Sequence, residues 1–309
     1  NNRPVSQGSE RRFFLAKWQG TVMSTQISTA FVQQFSSNVQ LLSQQRGSLL
    51  RGAVSEESVT GEKAFFDQVG VAAAIKRTSR HGDTPLVETP HSRRMVTMES
   101  YEWADLIDDA DKVRLLIDPT STYALAAAAA MGRAMDDAII EAAIGTSKTG
   151  KSGASSTTML AGHQIANGGT DLTLAKLIQT KKILDLASVD PSITRHIAVG
   201  PDQIEALLNS TTVTSSDFNT VKALVQGEIN TFLGFTFHVT NRLSKSGNIR
   251  SCFAWAEDGV KLAVGKDVMA KIDERADKSY STQVYYCATF GSTRMEEEKV
   301  VQIDCDESA

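Results

Sequence analysis

The chain has 309 residues, of which 41% are hydrophobic and 22% are charged, as expected for one large folded domain or two to three smaller ones. Its formal net charge of −4 excludes the overall basic bias of proteins that wrap nucleic acid. No run of about 18 apolar residues occurs, so no membrane span is predicted. The three cysteines lack metal-ligand spacing, which favours reduced thiols: Cys252, Cys287 and Cys305.

The first 60 residues predict an extended arm, because they are rich in Gln and Ser and bury little surface alone. Four apolar residues in the arm recur at helical spacing: Phe31, Phe35, Val39 and Leu42. This short helix either docks on a partner, which makes Phe31 and Phe35 candidate inter-subunit contacts, or packs on its own domain. Met23 begins the stretch MSTQIST, so residues 1–22 are either an extension upstream of a start or ordinary chain.

The next segment predicts a long hairpin whose strands are residues 65–75 and 95–103, joined by a functional or disordered loop at 78–92. Cations around the loop outnumber carboxylates: Lys76, Arg77, Arg80, Arg93 and Arg94 against Asp83 and Glu88. The segment after it is acidic: Glu99, Glu102, Asp105, Asp108, Asp109, Asp111 and Asp118 against Lys112 and Arg114. A basic loop next to an acidic segment is what a self-associating protein would need, although both segments could simply be solvated surfaces. The candidate inter-subunit contacts here are Arg77, Arg80, Arg93, Arg94, Glu99, Asp108 and Asp109.

Residues 120–145 predict a helix of about six turns, because a run of alanines follows possible capping hydroxyls. The candidates for the cap are Thr120, Ser121 and Thr122. Its predicted apolar stripe consists of Leu125, Ala128, Met131, Met135, Ile139 and Ala142. Arg133 and Asp137 stand four apart and are predicted to pair on the polar face. Gly145 is predicted to end the helix in a left-handed conformation.

The remaining chain predicts a compact mixed subdomain over 160–264 and then strands only. A flexible loop is predicted at 146–169 and a polar loop at 210–216. The predicted helices cover 172–186 and 201–208. The predicted strands cover 196–199, 232–239, 252–255, 260–264, 267–275, 282–290 and 299–304, with turns at 257–259, 276–278 and Gly291.

One literal motif points to an enzyme, since residues 145–152 match the P-loop pattern G-x-x-x-x-G-K-[ST]. A P-loop follows a buried strand and opens a helix, whereas here an alanine-rich helix precedes the motif and GASSTT follows it. The histidines are dispersed, which argues against a metal site: His81, His91, His163, His196 and His238. We therefore predict no catalytic, cofactor-binding or metal-binding residues and no enzyme activity.

The order of arm, hairpin, long helix, mixed subdomain and terminal strands resembles the major capsid proteins of tailed bacteriophages with the Hong Kong 97-type fold. The resemblance covers about residues 25–305, and it is a similarity in the order of the elements and in the general character of the sequence. The segments on which the resemblance rests are FFDQVG (65–70), GDTPLVETPHSRRMV (82–96), MGRAMDDAIIEAAIG (131–145) and GFTFHVTNRL (234–243). It implies an α+β fold with an N-terminal arm (1–60), an extended E-loop hairpin (61–112), a peripheral domain with a long spine helix (113–160 and 265–309) and an axial domain (161–264).

The same resemblance implies a structural protein that self-assembles through pentamers and hexamers into an icosahedral head shell. The shell would enclose double-stranded DNA without sequence-specific binding, and it would be assembled in the host cytoplasm and reside in the virion. Implied partners are a separate scaffolding protein, a portal and possible decoration proteins. The alternatives are the shell protein of an encapsulin-like compartment and a P-loop nucleotide-binding protein.

Overall fold

The computed structural model describes residues 44–80, 82–84, 86–108, 120–209 and 231–308. Several predictions lie outside the described residues: the arm before residue 44 with Phe31 and Phe35, the start at Met23, Asp109, and the loop at 210–216. The side chains of Thr120 and Ser121 also lie outside them, so their capping role stays a prediction.

The described residues form three α-helices and four single turns of 3-10 helix. The α-helices are α1 (Thr120–Ile144), α2 (Leu174–Leu186) and α3 (Pro201–Asn209), and the 3-10 turns cover Arg51–Ala53, Ala161–His163, Ala276–Lys278 and Glu297–Lys299. The strands are β1 (Ser55–Ser58), β2 (Lys63–Val69), β3 (His91–Thr97), β4 (Glu99–Ile107), β5 (Ser147–Thr149), β6 (Ser155–Thr157), β7 (Gln164–Ile165), β8 (Arg195–Val199), β9 (Thr231–Phe232), β10 (Phe235–Val239), β11 (Lys245–Ser246), β12 (Ile249–Ala256), β13 (Val260–Arg275), β14 (Ser281–Arg294) and β15 (Val300–Asp306).

A seven-stranded sheet contains the largest part of the hydrophobic core. Its order is β7-β15-β12-β8-β10-β9, and β11 pairs with β12. Every residue of β8 is buried, as expected for a central strand that is covered on both faces. Phe253 and Trp255 of β12 are fully buried beside it, with ring centroids 4.7 Å apart. The predicted helices at 172–186 and 201–208 and the strand at 196–199 are confirmed as α2, α3 and β8.

A second sheet has the order β1-β13-β14-β4 and is built on the long antiparallel pair β13–β14. Helix α1 packs against β13 and β14. Two irregularities interrupt β13 near Lys266, and such bulges increase the local bend and twist of a strand. The predicted turn at Gly291 is wrong, because Gly291 lies within β14, where a Cβ atom would stand 2.3 Å from the carbonyl oxygen of Thr97.

A third sheet, β2-β3-β5-β6, contains the predicted hairpin. Its strands β2 and β3 pair from Lys63–Thr97 to Val69–His91, so residues 70–90 form a longer connection than predicted. Residues 99–103 do not belong to this hairpin, since β4 pairs with β14 in the second sheet. The predicted flexible loop at 146–169 instead contributes β5 and β6 to the hairpin sheet and β7 to the seven-stranded sheet.

The long helix has the predicted bounds, but its contacts differ from the prediction. Its buried alanine and apolar positions are Ala127, Ala129, Met131, Met135, Ile139, Ile140 and Ala143. Leu125 is exposed, because the step of two residues from it to the buried Ala127 corresponds to a rotation of about 200° around the helix. The predicted Arg133–Asp137 pair is wrong, since Asp137 pairs with Arg242 and Arg133 donates to Gln44 Oε1 at 2.9 Å.

The C-terminus of α1 is closed by a distant arginine rather than by a left-handed glycine. Gly145 keeps a helix-type hydrogen bond, with its N–H 2.7 Å from the Glu141 carbonyl oxygen. Nη1 of Arg294, which is fully buried, donates to the carbonyl oxygens of Ala143 at 2.9 Å and Gly145 at 2.7 Å. A guanidinium at this end satisfies the unpaired carbonyls and complements the helix dipole.

One other strand prediction is corrected by a turn, and the sheet order shows where two further predicted strands lie. The strand predicted at 232–239 is a hairpin, β9–β10, because Leu233 and Gly234 have φ of 53° and 85°. The turn predicted at 257–259 is confirmed, and it joins β12 and β13, which belong to different sheets. The strand predicted at 299–304 is present as β15, and it pairs with β12 in the seven-stranded sheet, whereas the resemblance implied a peripheral domain that contains both this strand and the long helix.

Candidate assembly interface

The connection between β2 and β3, residues 70–90 (hereafter the hairpin loop), exposes an unusual amount of apolar surface. Val71 and Leu86 are 97% and 96% exposed, and Ile75 is 58% exposed. The loop is closed at its root by the N–H of Gly70, which donates to the carbonyl oxygen of Pro90 at 2.8 Å. Clustered apolar side chains in water indicate a surface that another molecule covers.

The cations predicted for inter-subunit contacts occupy three different environments. Arg77 and Arg80 are exposed on the hairpin loop, and Arg77 Nε donates to the Ser79 carbonyl oxygen at 2.7 Å. Arg93 faces its cross-strand neighbour Asp67, with Nη2 3.0 Å from Oδ2, and its guanidinium lies 5.6 Å from the centre of the Phe65 ring. Hydrogen bonding to Arg93 lowers the pKa of Asp67.

Arg94 is buried and connects the hairpin to the rest of its own subunit. Its Nε donates to the Met295 carbonyl oxygen at 2.7 Å, its Nη1 to Thr157 Oγ1 at 3.2 Å, and its Nη2 to Glu297 Oε2 at 2.5 Å. It is 7% exposed, so it does not present a charge to neighbours. With Arg93 also paired, the exposed basic excess of the hairpin is smaller than the sequence predicts.

The predicted acidic contacts lie on β4 and just after it. Glu99 is exposed at the start of β4 and accepts a hydrogen bond from the Tyr101 hydroxyl at 3.0 Å. Burial and this carboxylate raise the pKa of Tyr101 to about 12, and its ring stacks on Phe290 at 4.4 Å. Asp108 is exposed after the strand ends, so the described acidic candidates are separated by the length of β4.

A second exposed apolar surface was not singled out from the sequence. It extends over both faces of the far half of the β13–β14 pair and of β4, since Leu106 and Met269 lie on one face and Ile272 on the other. We call these residues, with one from the turn before β14, the ribbon surface: Leu106, Val268, Met269, Ile272 and Tyr280. All of 265–274 is exposed, although β13 and β14 continue to pair there. The strand predicted at 267–275 was the available signal, but a predicted strand does not tell which faces of a sheet are covered.

The segment 45–58 (hereafter the strap) was predicted as part of the extended arm, yet it is packed on the subunit body. Strand β1 pairs in parallel with β13, and Leu50 and Ala53 are buried in the main core. The indole N–H of Trp255 donates to the Ala53 carbonyl oxygen at 2.8 Å. The strap thus forms the described connection between the arm before residue 44 and the hairpin.

The P-loop motif does not form a phosphate cradle. Residues 147–149 are a strand that pairs with β3, and β6 rather than a helix follows Lys151. The N–H of Gly150 is already used, since it donates to the Arg93 carbonyl oxygen at 3.1 Å. The described residues therefore lack the helix N-terminus to which a nucleotide phosphate binds in such sites.

The described ranges also lack two other kinds of functional feature, a metal site and a membrane span. These ranges contain no cluster of three or more His, Cys, Asp or Glu residues suited to a metal ion. None of their helices is long and apolar enough to span a membrane. His196 Nδ1 and His238 Nε2 are 3.1 Å apart beneath Trp255, and burial lowers the pKa of both rings, that of His238 to about 4.

The sequence and the fold both match known capsid proteins. Residues 27–307 match the family described as phage capsid protein. The capsid structure of cyanophage P-SCSP1u is similar with a TM-score of 0.70 and 16% identity, covering 89% of this chain and 93% of that chain. The capsid of Ralstonia phage GP4 gives a TM-score of 0.69 and 11% identity, with 93% and 98% covered. The acidic stable capsid structure of Helicobacter pylori bacteriophage KHP30 gives 0.67 and 9%, with 94% and 100% covered. No curated protein matches the sequence significantly.

Proposed function

This chain belongs to the phage capsid protein family and is a structural major capsid protein of an icosahedral bacteriophage shell, and we propose that its hairpin loop and ribbon surface are where neighbouring copies bind. The predicted Hong Kong 97-type α+β fold is confirmed by the solved capsids that it resembles. The observation that carries the proposal is the near-complete exposure of Val71 and Leu86.

Burial of the hairpin loop by a neighbour would account for its composition. Ordering a loop costs conformational entropy, and exposed apolar residues offset that cost only when another surface covers them. Repetition of the same contact by symmetry then gives a closed shell from many modest interactions. The exposed cations Arg77 and Arg80 would add electrostatic selectivity at this contact rather than most of its affinity.

We further propose the division of the chain that the resemblance to tailed-phage capsid proteins implies. Residues 1–60 are the N-terminal arm, 61–112 the E-loop, 113–160 with 265–309 the peripheral domain, and 161–264 the axial domain. The pairing of β15 with β12 favours moving the last strand to the axial domain. Phe31, Phe35, Glu99, Asp108 and Asp109 remain candidate contacts between copies.

The shell would enclose double-stranded DNA without sequence-specific binding, consistent with the net charge of −4. Assembly through pentamers and hexamers in the host cytoplasm, with a separate scaffolding protein, a portal and possible decoration proteins, completes the proposal. A purely structural, non-enzymatic role agrees with the absence of a phosphate cradle at residues 145–152.

The test is assembly of the expressed protein, followed by size exclusion and negative-stain microscopy, with and without the neighbouring phage genes. The wild type is expected to give capsomer rings or closed shells. The double variant V71D/L86D introduces charges at exposed positions, so it should keep the fold and lose the shells. T84D places the same charge at another exposed position of the loop and is the matched control. Normal shells from V71D/L86D would contradict the proposed contact.

A further inference from the structure

The strap is fastened to α1 by a buried carboxylate whose partners are all neutral donors. Asp136 has no exposed surface. Its Oδ1 accepts from Ser48 Oγ at 2.5 Å and from the Leu50 N–H at 3.1 Å. Its Oδ2 accepts from the Leu49 N–H at 3.1 Å and from the side-chain amide of Gln45. One side chain therefore accepts four hydrogen bonds from the strap, which come from residues 45, 48, 49 and 50.

The same face of α1 allows the strap backbone to approach unusually closely. A Cβ atom on Gly132 would lie 2.3 Å from the carbonyl carbon of Gly47, so only glycine fits there. Gly47 itself has a φ of 76°, which L-residues rarely adopt. Next to this contact, Arg133 Nη1 donates to Gln44 Oε1 at 2.9 Å and to the Gln45 carbonyl oxygen at 3.3 Å.

A buried carboxylate is an unusual way to stabilise a helix face. Removing a charge from water costs several kcal/mol unless hydrogen bonds compensate, and an apolar residue at the site would avoid that cost. Hydrogen bonds specify position, because four donors must converge on two oxygen atoms, whereas apolar contacts tolerate sliding. Asp136 therefore selects one location for residues 45–50 on the helix.

We infer that Asp136 is a positioning residue for shell assembly, because it fixes residues 45–50, the described segment nearest to the arm in sequence, at one place on α1. The inference rests on the proposed function, in which the arm binds neighbouring copies of this chain. If residues 45–50 occupied another place on α1, the arm would contact the wrong part of a neighbouring copy. Further along, the strap is fixed separately, with Arg51 between Glu56 and Asp267.

The experiment compares D136N with D137N in the full-length chain. In D136N, asparagine keeps the size of the side chain but turns an N–H2 group toward the donors of the strap. D137N is the control, because Asp137 forms a surface ion pair with the exposed Arg242. Limited trypsin digestion with mass spectrometry would follow cleavage after Arg46, which is exposed within the strap. Cleavage after Arg77 in the hairpin loop is the internal reference.

We expect D136N to accelerate cleavage after Arg46 about tenfold, because proteolysis follows the population of the locally opened segment. Cleavage after Arg77 and the melting of tryptophan fluorescence should change little, and closed shells should be lost. D137N should behave as the wild type in all four readouts. If D136N does not fold, G132A provides the second test, since alanine favours the helix but collides with Gly47.

The outcomes separate the inference from the proposed function. Unchanged cleavage after Arg46 in D136N, or in G132A where D136N does not fold, would overturn the inference. Faster cleavage accompanied by closed shells at wild-type yield would also overturn the inference, because the position of residues 45–50 on α1 would then not direct assembly. Absence of rings and shells from the wild type would instead overturn the proposed function and the inference with it.

Discussion

The seven-stranded sheet and the hairpin loop place similar apolar residues in opposite environments. Phe253, in the middle of the sheet between β15 and β8, is fully buried by its own subunit. Leu86, in the hairpin loop, is 96% exposed. The sheet therefore stabilises the isolated subunit, whereas the loop can gain stability only from a neighbour. Under the proposed function, folding and assembly therefore use separate sets of apolar side chains.

The most direct way to break this comparison is to truncate one residue in each region. F253A should lower the free energy of unfolding of the unassembled subunit by about 3–5 kcal/mol, because it leaves a cavity in a packed core. L86A should change it by no more than about 0.5 kcal/mol, because the side chain is already in water. Urea unfolding measures the change in free energy of unfolding for both variants. For shell yield, L86A should have the larger effect, when assembly is carried out well below the unfolding temperature of each variant. Equal destabilisation by the two variants would contradict the comparison.

A second pair of variants separates the two adjacent arginines at the base of the hairpin. R94M should destabilise the subunit by about 3 kcal/mol, because it leaves the largely buried Glu297 carboxylate without its closest cation. R93M is the matched control, since Arg93 is paired on the surface and its loss should be small. Adding E297Q to R94M should restore part of the loss in a double-mutant cycle. If both arginine variants behave alike in urea, Arg94 does not anchor the hairpin.

Local sequence signals predicted the elements well, because helix propensity and turn residues act over a few positions. The alanine run and Gly145 gave the bounds of α1 to within a residue. The contacts of that helix were missed, since Arg294 closes its end from 149 residues away and the strap covers Asp136. Both residues look like solvated charges in the sequence, and only the packing of distant segments removes them from water.

The candidate interface shows the same limit. Clustered apolar and charged residues indicated the hairpin, and Arg77 and Arg80 are exposed as expected of contacts. Arg94 was included with them, although alternation along β3 puts it on the opposite face from Arg93. Which face is buried depends on β5, β6 and the β14–β15 connection, whose positions a charge count does not contain.

Acidification should lower the stability of the seven-stranded sheet, which contains His238, more than that of the hairpin loop. The pKa of His238 is depressed to about 4 by burial and by His196, so the unfolded state binds more protons between about pH 6.5 and 4. Stability is therefore full above pH 6.5 and falls as the pH drops toward 4, by on the order of 2 kcal/mol. Urea unfolding of unassembled subunits at several pH values measures this slope. H238Q should reduce this slope and leave the part that comes from the buried His196, whereas H91Q, at an exposed position, should leave the slope unchanged.

The smallest expected effect sharpens the comparison within the hairpin itself. The Arg93–Asp67 pair lies at the surface, where water and salt screen it, so D67N should lower the thermal midpoint by less than about 2 °C. The difference from the wild type should vanish in 0.5 M NaCl, because the Debye length is then only about 4 Å. D83N, which removes an exposed carboxylate from the hairpin loop, is the control. A larger, salt-independent loss for D67N would mean that the hairpin stem, and not only its buried base at Arg94, is stabilised within the subunit.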